Sequence, residues 1–97
     1  MVQLLRPAQA GTLESNDIMI TVAPGEAGGG VVIELDSLVM AQYGAVIRQT
    51  LADTVAVQGI ADVYIKAVDR GALDCTIRAR MLAALARAGV ISEGVIV

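Results

Sequence analysis

The amino-acid sequence predicts a small single α/β domain of the α+β kind, in which a mixed sheet carries two helices packed on one face, in the order βββαβα. Ninety-seven residues suit one compact core. A hydrophobic content of 56% is well above what a disordered chain carries, so the chain is expected to fold. Apolar residues alternate over 18–22, which is typical of a strand, and recur at three- and four-residue spacings over 39–55, which is typical of a helix.

A hairpin is predicted near the start of the chain. Apolar and other residues alternate over 18–22, which is typical of a half-buried strand, and 10–15 is expected to be its partner. Asparagine and aspartate at 16–17 tolerate the backbone geometry of a two-residue turn. The hairpin would then span 10–23 and expose Ser15 at its tip.

A third strand and the first helix follow. Proline and glycines in 24–30 predict a loop, and 31–35 is the third strand. Asp36 or Ser37 is predicted to be the helix N-cap, because both side chains accept hydrogen bonds from the first amides of a helix. The helix would continue to about Val57, supported by apolar residues at three- and four-residue spacings.

The last predicted elements are a strand, a helix and a tail. Gly59 is positioned to end the first helix, and 61–68 is the fourth strand. The segment 73–80 alternates like a strand, yet the alanine-rich run that follows it strongly favours helix. We therefore predict a helix over 73–88, closed by a glycine, and a poorly specified tail over 90–97. No linker is long enough to divide the chain, so the whole chain is expected to be one domain.

The composition excludes several classes of function. A net charge of −3 argues against a nucleic-acid surface, which needs a basic patch. With no histidine and a single cysteine, the sequence shows no metal-ligand cluster and allows no intrachain disulfide. Lone Cys75 is interpreted as a small, buried apolar residue. No run is long enough to span a membrane and no signal-peptide pattern is visible, so a cytoplasmic, soluble domain is expected.

The stretch around Ser15 is the best candidate for a functional site. The serine lies between Glu14 and Asp17, where two apolar runs meet. A serine nucleophile needs an adjacent base, and the chain has no histidine, so catalysis by Ser15 is not expected. We interpret Ser15 as a hydroxyl that is presented to another enzyme for modification. The two acids either steer the tip toward basic partner surfaces or only solvate the turn.

A second serine competes for this role. The tripeptide Asp36-Ser37-Leu38 resembles the signature of ordinary acyl carrier proteins, in which the serine opens a helix and bears phosphopantetheine. Those carriers are small helical bundles, whereas strands are predicted ahead of Ser37 here. Helix capping also explains the tripeptide. A phosphopantetheine carrier modified at Ser37 therefore remains an alternative, as does an unmodified interaction module.

Two separated blocks of the sequence resemble the citrate lyase acyl carrier subunit, the gamma chain. The first block is AGTLESNDIMI at 10–20, and the second is DRGALDCTIRAR at 69–80. Together with the helix predicted between them, they extend the resemblance over most of the chain. The carrier of malonate decarboxylase is similar around Ser15 but differs in the second block, and a citramalate-type lyase that uses the same carrier stays open.

The resemblance implies a non-catalytic carrier subunit of citrate lyase. In that family the serine matching Ser15 carries a phosphoribosyl-dephospho-coenzyme A group through a phosphodiester, which a dedicated transferase installs. A ligase acetylates the terminal thiol of this group. Citrate replaces the acetyl group on the CoA-transferase (alpha) subunit, and the lyase (beta) subunit cleaves the citryl thioester and restores the acetyl form. The roles of Arg78, Arg80 and Arg87 on the last helix stay open between a solvated face and docking to another subunit.

Overall fold

The computed structural model describes residues 2–90 as two layers, a four-stranded sheet and a pair of helices. The elements are β1 (Ala8–Gly11), β2 (Ile18–Pro24), β3 (Val31–Ser37), α1 (Met40–Val57), β4 (Val63–Asp69) and α2 (Asp74–Arg87). In the sheet the strands lie in the order β1-β2-β4-β3. The β1–β2 and β2–β4 pairs are antiparallel and the β3–β4 pair is parallel. The predicted α+β class, element order and mixed sheet are confirmed.

The core lies between the two layers. Buried sheet residues occupy every second position on the central strands, and buried helix residues recur at three- and four-residue spacings, as amphipathic elements require. The fully buried apolar side chains include Ile18, Ile20, Val22, Val63 and Ile65 on the sheet and Leu51, Val55, Met81 and Leu85 on the helices. Burial of each contributes about 1.5–3 kcal/mol. Both helices therefore pack on one face of the sheet, as predicted.

Both helices end at the glycines that the sequence indicates. Gly59 has a φ of 74°, a value that favours glycine, and its N–H donates to the Ala56 carbonyl oxygen. The next amide, of Ile60, donates to the Val55 carbonyl oxygen, which completes a Schellman motif. The same pair of bonds closes α2 at Gly89, where φ is 95°.

An arginine covers each edge of the sheet. The Nη1 atom of Arg48 on α1 donates to the carbonyl oxygen of Ile33 on β3, at 2.9 Å. At the opposite edge, Nη1 of Arg87 donates to the carbonyl oxygen of Gln9 on β1, at 2.8 Å. Unpaired strand edges are templates for association with other chains, and charged side chains at the edge oppose it. The side chain of Arg87 is therefore a strand-edge contact within the domain.

The hairpin differs from the prediction in the length of its turn. The first strand is Ala8–Gly11 rather than 10–15, and residues 12–17 form a longer loop instead of a two-residue turn. The physical reason lies at Gly11, where φ is 94° and where a side chain would overlap the carbonyl oxygen of Ile18. The pairing between β1 and β2 ends there. Only the second strand of the hairpin lies where the alternation predicts it.

The predicted N-cap of the first helix is wrong. Asp36 and Ser37 belong to β3, which pairs with β4 as far as Ser37 opposite Asp69. The N–H of Leu38 still donates to the carbonyl oxygen of Asp69, and α1 begins only at Met40. Parallel pairing with a strand thirty residues later thus extends β3 through the positions where helix capping was expected.

Three smaller outcomes complete the comparison with the sequence. Cys75 is exposed in the first turn of α2, so its prediction as a buried residue is wrong. The buried face of that helix begins at Ile77. In the predicted tail, Val90 is buried, and 91–97 lie outside the described residues. No helix in the described part of the chain has the length and apolar character needed to cross a bilayer.

Candidate functional site

The hairpin loop and the connection after β4 meet at one end of the sheet. The register places Ile18 at the start of β2 opposite Asp69 at the end of β4, and Asp69 opposite Ser37 at the end of β3. The hairpin loop 12–17 and the connection 70–73 between β4 and α2 therefore lie side by side at this end. The two sequence blocks that resemble the carrier family are brought together here.

The hairpin loop presents Ser15 to solvent and is tied down beside it. Glu14, Ser15 and Asn16 are all exposed. The N–H of Asn16 donates to the carbonyl oxygen of Arg70, at 2.8 Å, and the N–H of Arg70 donates to the carbonyl oxygen of Asp17, at 2.8 Å. This reciprocal pair of backbone bonds joins the loop to the connection after β4. The exposed tip predicted for Ser15 is thus found on a longer loop that a second segment braces.

The carboxylate of Asp17 is the polar centre of this brace. Its Oδ2 atom accepts from the Thr12 hydroxyl at 2.7 Å, and its Oδ1 atom accepts from the Ile18 N–H at 2.7 Å. The guanidinium of Arg80 on α2 donates to both oxygens, from Nε at 3.0 Å and from Nη2 at 2.8 Å. Such a two-pronged arginine–carboxylate pair is among the stronger hydrogen-bonded contacts in proteins.

These contacts change the electrostatics of Asp17. Hydrogen bonds from Arg80 and then from Thr12 lower the pKa of the Asp17 carboxyl to about 2, against a smaller opposing effect of burial. Asp17 is buried and its charge faces Arg80, so it is not the solvent-facing acid that the sequence suggested. Glu14 alone of the two flanking acids is exposed. Any steering of partners by the tip therefore falls to Glu14.

A second buried carboxylate organises the connection 70–73. The side chain of Asp69 is 1% exposed, and its oxygens accept from the N–H groups of Gly71, at 3.2 Å, and Ala72, at 3.0 Å. The Ser37 hydroxyl donates to Oδ2 of Asp69 at 2.8 Å and accepts from the Val39 N–H at 3.1 Å. Buried carboxylates require such partners. The hydroxyl of Ser37 is thus engaged in hydrogen bonds within the domain, as both donor and acceptor.

Sequence reasoning missed the contact between Asp17 and Arg80. The two residues are 63 positions apart, and Arg80 was interpreted only as part of a solvated or docking face. The available signal was charge, because the first block holds two acidic residues and the second holds three arginines. Arg78, by contrast, forms an exposed pair with Asp74 one turn earlier on α2, at 3.4 Å.

The buried carboxylate at this site is not suited to general base catalysis. General base catalysis works best with a pKa near the operating pH, and the carboxyl of Asp17, at about 2, is far below neutrality. Within residues 2–90, no cluster of acidic or cysteine side chains is arranged to hold a metal ion. The arrangement offers one exposed hydroxyl, Ser15, on a loop held by Arg70 and Arg80.

Comparisons with known proteins cover most of the described domain. The family described as "ACP: Malonate decarboxylase delta subunit (MdcD)" matches residues 5–88. The chain is 47% identical to the citrate lyase acyl carrier protein of Streptococcus uberis, over 95% of this chain and 89% of that protein. It is 51% identical to that of Lacticaseibacillus casei, over 90% of this chain and 84% of that protein.

A solved structure shows the same fold at lower sequence identity. It is the crystal structure of a Pseudomonas malonate decarboxylase hetero-tetramer in complex with malonate, one chain of which matches with a TM-score of 0.73. The match covers 90% of this chain and 88% of that chain, at 18% identity. The family match and the identities above decide the relationship: this chain belongs to the citrate lyase acyl carrier protein family, and it is a non-catalytic carrier rather than an enzyme.

Proposed function

We propose that Ser15 is the attachment point of a phosphoribosyl-dephospho-coenzyme A group, and that the chain carries acetyl and citryl thioesters between the alpha (CoA-transferase) and beta (lyase) subunits of citrate lyase. Membership in an acyl carrier family implies a covalently attached group. The choice of Ser15 is supported above all by its exposure on a braced loop. A prosthetic-group transferase and an acetylating ligase are the further partners in this proposal.

The residues around Ser15 fit a bulky group joined by a phosphodiester. The serine is exposed, and Gly71, on the connection after β4, has no side chain and a φ of 92°. A β-carbon at Gly71 would lie 3.6 Å from Oδ1 of Asn16, an ordinary van der Waals distance, so the connection approaches the loop closely beside Ser15 in the sequence. When bound, the group would supply the thiol that holds the acyl unit. The chain itself would hold the anchor in place through Arg70 and Arg80 while the rest of the arm moves, and tethering would raise the local concentration of the thioester at both partner sites.

The alternative attachment at Ser37 finds less support. Ser37 is half-buried in β3, and its hydroxyl both donates to Asp69 and accepts from Val39. Modification there would remove a hydrogen bond from a carboxylate that is 1% exposed, at a cost of about 1–3 kcal/mol. A transferase would also need to reach a hydroxyl that is already engaged in the fold.

A carrier of malonate decarboxylase is the second candidate function. The description of the matching family and the solved neighbour favour it. The relatives at 47% and 51% identity are citrate lyase carriers, so we prefer citrate lyase. Reconstitution separates the two candidates, because the loaded carrier should restore citrate cleavage with citrate lyase alpha and beta subunits and should not restore malonate decarboxylation with the subunits of the other enzyme.

The attachment site is tested by mass spectrometry after co-expression with the transferase and the enzymes that make the coenzyme precursor. Trypsin is unsuitable, because the first lysine or arginine that trypsin can use after Ser15 is Arg48, and one peptide would hold both candidate serines. Cleavage after glutamate yields a fragment over 15–26, or over 1–26 if the adduct hinders the first cut. In either fragment Ser15 is the only serine.

The expected result is one adduct, with the mass of phosphoribosyl-dephospho-coenzyme A, on the fragment that contains Ser15. Ser15→Ala should abolish it, and Ser37→Ala is the matched control that should leave it in place. An adduct on the fragment with Ser37, or an unmodified chain beside a transferase shown to be active on a known carrier, would overturn the proposal.

A further inference from the structure

An open groove lies between the first half of α1 and the start of α2. It has a volume of about 390 Å³, which is within the usual range for small-molecule sites. Its walls are mostly apolar and include Val39, Tyr43, Val46, Ile47, Leu73 and Ile77. Several of these side chains face water, since Tyr43 is 54%, Val46 59% and Leu73 69% exposed. We call this feature the interhelix groove.

The interhelix groove is next to the loop that carries Ser15. One wall is formed by Gly71, Ala72 and Leu73, which belong to the connection after β4. The residue just before them, Arg70, exchanges two backbone hydrogen bonds with the hairpin loop at Asn16 and Asp17. One short segment therefore separates the groove from the proposed anchor.

We propose that the interhelix groove binds the uncharged acyl-thioester end of the arm on Ser15 while the carrier is between partner sites. This inference rests on the proposed function, because it needs the arm to be on Ser15. Covering Tyr43, Val46 and Leu73 would remove exposed apolar surface from water, which is favourable. Because the arm is tethered at the next loop, even weak affinity for the groove suffices.

The chemistry of the lining favours an acetyl over a citryl thioester. Among the described residues that form the groove, Asp74 is the one charged side chain, and no lysine or arginine is present. Its Oδ1 atom accepts from the Thr50 hydroxyl at 2.9 Å, and its other oxygen lies 3.4 Å from Arg78 outside the lining. A carboxylate-bearing acyl group would lose hydration against apolar walls and meet Asp74 without gaining a cation. The groove should therefore hold the acetyl form and release the citryl form.

The test compares the loaded carrier with the unmodified chain, after mass spectrometry has established that Ser15 is fully modified. Amide chemical shifts are measured by NMR for arms that carry acetyl, butyryl or succinyl groups. Butyryl and succinyl have the same number of carbons and differ in the carboxylate. We expect acetyl and butyryl to shift amides of 71–77 and 43–50, and succinyl to leave them near their positions in the unmodified chain.

The rate of spontaneous thioester hydrolysis gives a second readout that needs no partner enzyme. A tether supplies an effective concentration of the order of millimolar, so a groove with a dissociation constant of the same order is half filled and slows hydrolysis about twofold. Val46→Asp should remove this protection, because it places a charge in the wall. Val57→Asp is the matched control, since Val57 is on the same helix, is 81% exposed and lies outside the groove.

The outcomes distinguish this inference from the proposed function. Protection and shifts that disappear in Val46→Asp but persist in Val57→Asp support the groove. If Ser15 is modified but the amides of the groove do not shift, or succinyl and butyryl behave alike, the inference is overturned while the attachment stands. If no adduct forms on Ser15, the proposed function fails first.

Discussion

The pair between Asp17 and Arg80 should make the stability of this carrier depend on acid pH in a way that one substitution removes. Asp17→Asn keeps the shape of the side chain and abolishes its charge. The pKa of Asp17 is lowered from 3.8 to about 2 in the folded chain, and each unit is equivalent to about 1.4 kcal/mol. The full shift corresponds to about 2.5 kcal/mol at neutral pH. The side chain of Arg80 is 41% exposed, so screening by water lowers the expected value to roughly 1–2 kcal/mol.

The sign follows from the direction of the shift. A carboxyl whose pKa is depressed by folding stabilises the folded state wherever it is ionised in the unfolded chain, which is above pH 3.8. This stabilisation is lost as the pH falls from about 4 through the folded pKa of about 2. Other carboxylates also titrate in this range, so the informative quantity is the difference between the wild-type chain and Asp17→Asn at each pH.

Urea denaturation followed by circular dichroism between pH 2 and pH 6 measures this difference. We expect the free energy of unfolding of the wild-type chain to exceed that of Asp17→Asn by at least about 1–2 kcal/mol at pH 6. Most of this difference should be lost at pH 2. Glu14→Gln is the matched control, because Glu14 is an exposed acid in the same loop and its removal should change little. A difference between wild type and Asp17→Asn that stays constant over the whole range would refute the assigned role of the ion pair.

Three further variants test separate parts of the fold. Ser37→Ala should lower the free energy of unfolding by about 1–3 kcal/mol in urea titrations, because Asp69 loses a partner while buried, and should leave the adduct on Ser15 unchanged. Gly59→Ala should cost about 1 kcal/mol and lower the melting temperature, because φ is 74° there and the space is open. Removing the edge contacts together, by Arg48→Ala and Arg87→Ala, should increase light scattering on prolonged incubation, and unchanged scattering would contradict the edge role.

Periodicity predicted β2 and α1, whereas helix propensity was needed to identify α2 as a helix. The alternation over 18–22 and the helical spacing up to Val57 both report burial on one side, which is a local property of the sequence. The ends of the helices could also be predicted from nearby residues, because Gly59 adopts a backbone conformation that other residues avoid. Neighbouring residues determine these features, and contacts with distant segments are not needed to predict them.

The errors arose where a distant segment decides between two local possibilities. Ser37 is as good a helix cap as it is a strand end, and pairing with Asp69 selects the strand. The turn predicted at 16–17 is plausible for Asn and Asp, yet Gly11 ends the ladder early and Arg70 holds the longer loop. The end of β3 is not encoded in its neighbouring residues, because it depends on pairing with β4. The longer hairpin loop depends both on Gly11 nearby and on Arg70 far along the chain.

The two acids beside Ser15 show why a functional site is harder to predict than a fold. In the sequence Glu14 and Asp17 are equivalent, and both are available to a partner. In the structure Asp17 is hydrogen-bonded to Arg80. A second arginine of α2, Arg87, donates to the backbone of the first strand of the same hairpin. The last helix therefore fixes the hairpin at both its tip and its edge, so the position of Ser15 depends on α2 as much as on its own strands. Substitutions on that helix should consequently alter the presentation of Ser15 even though they lie more than sixty residues away.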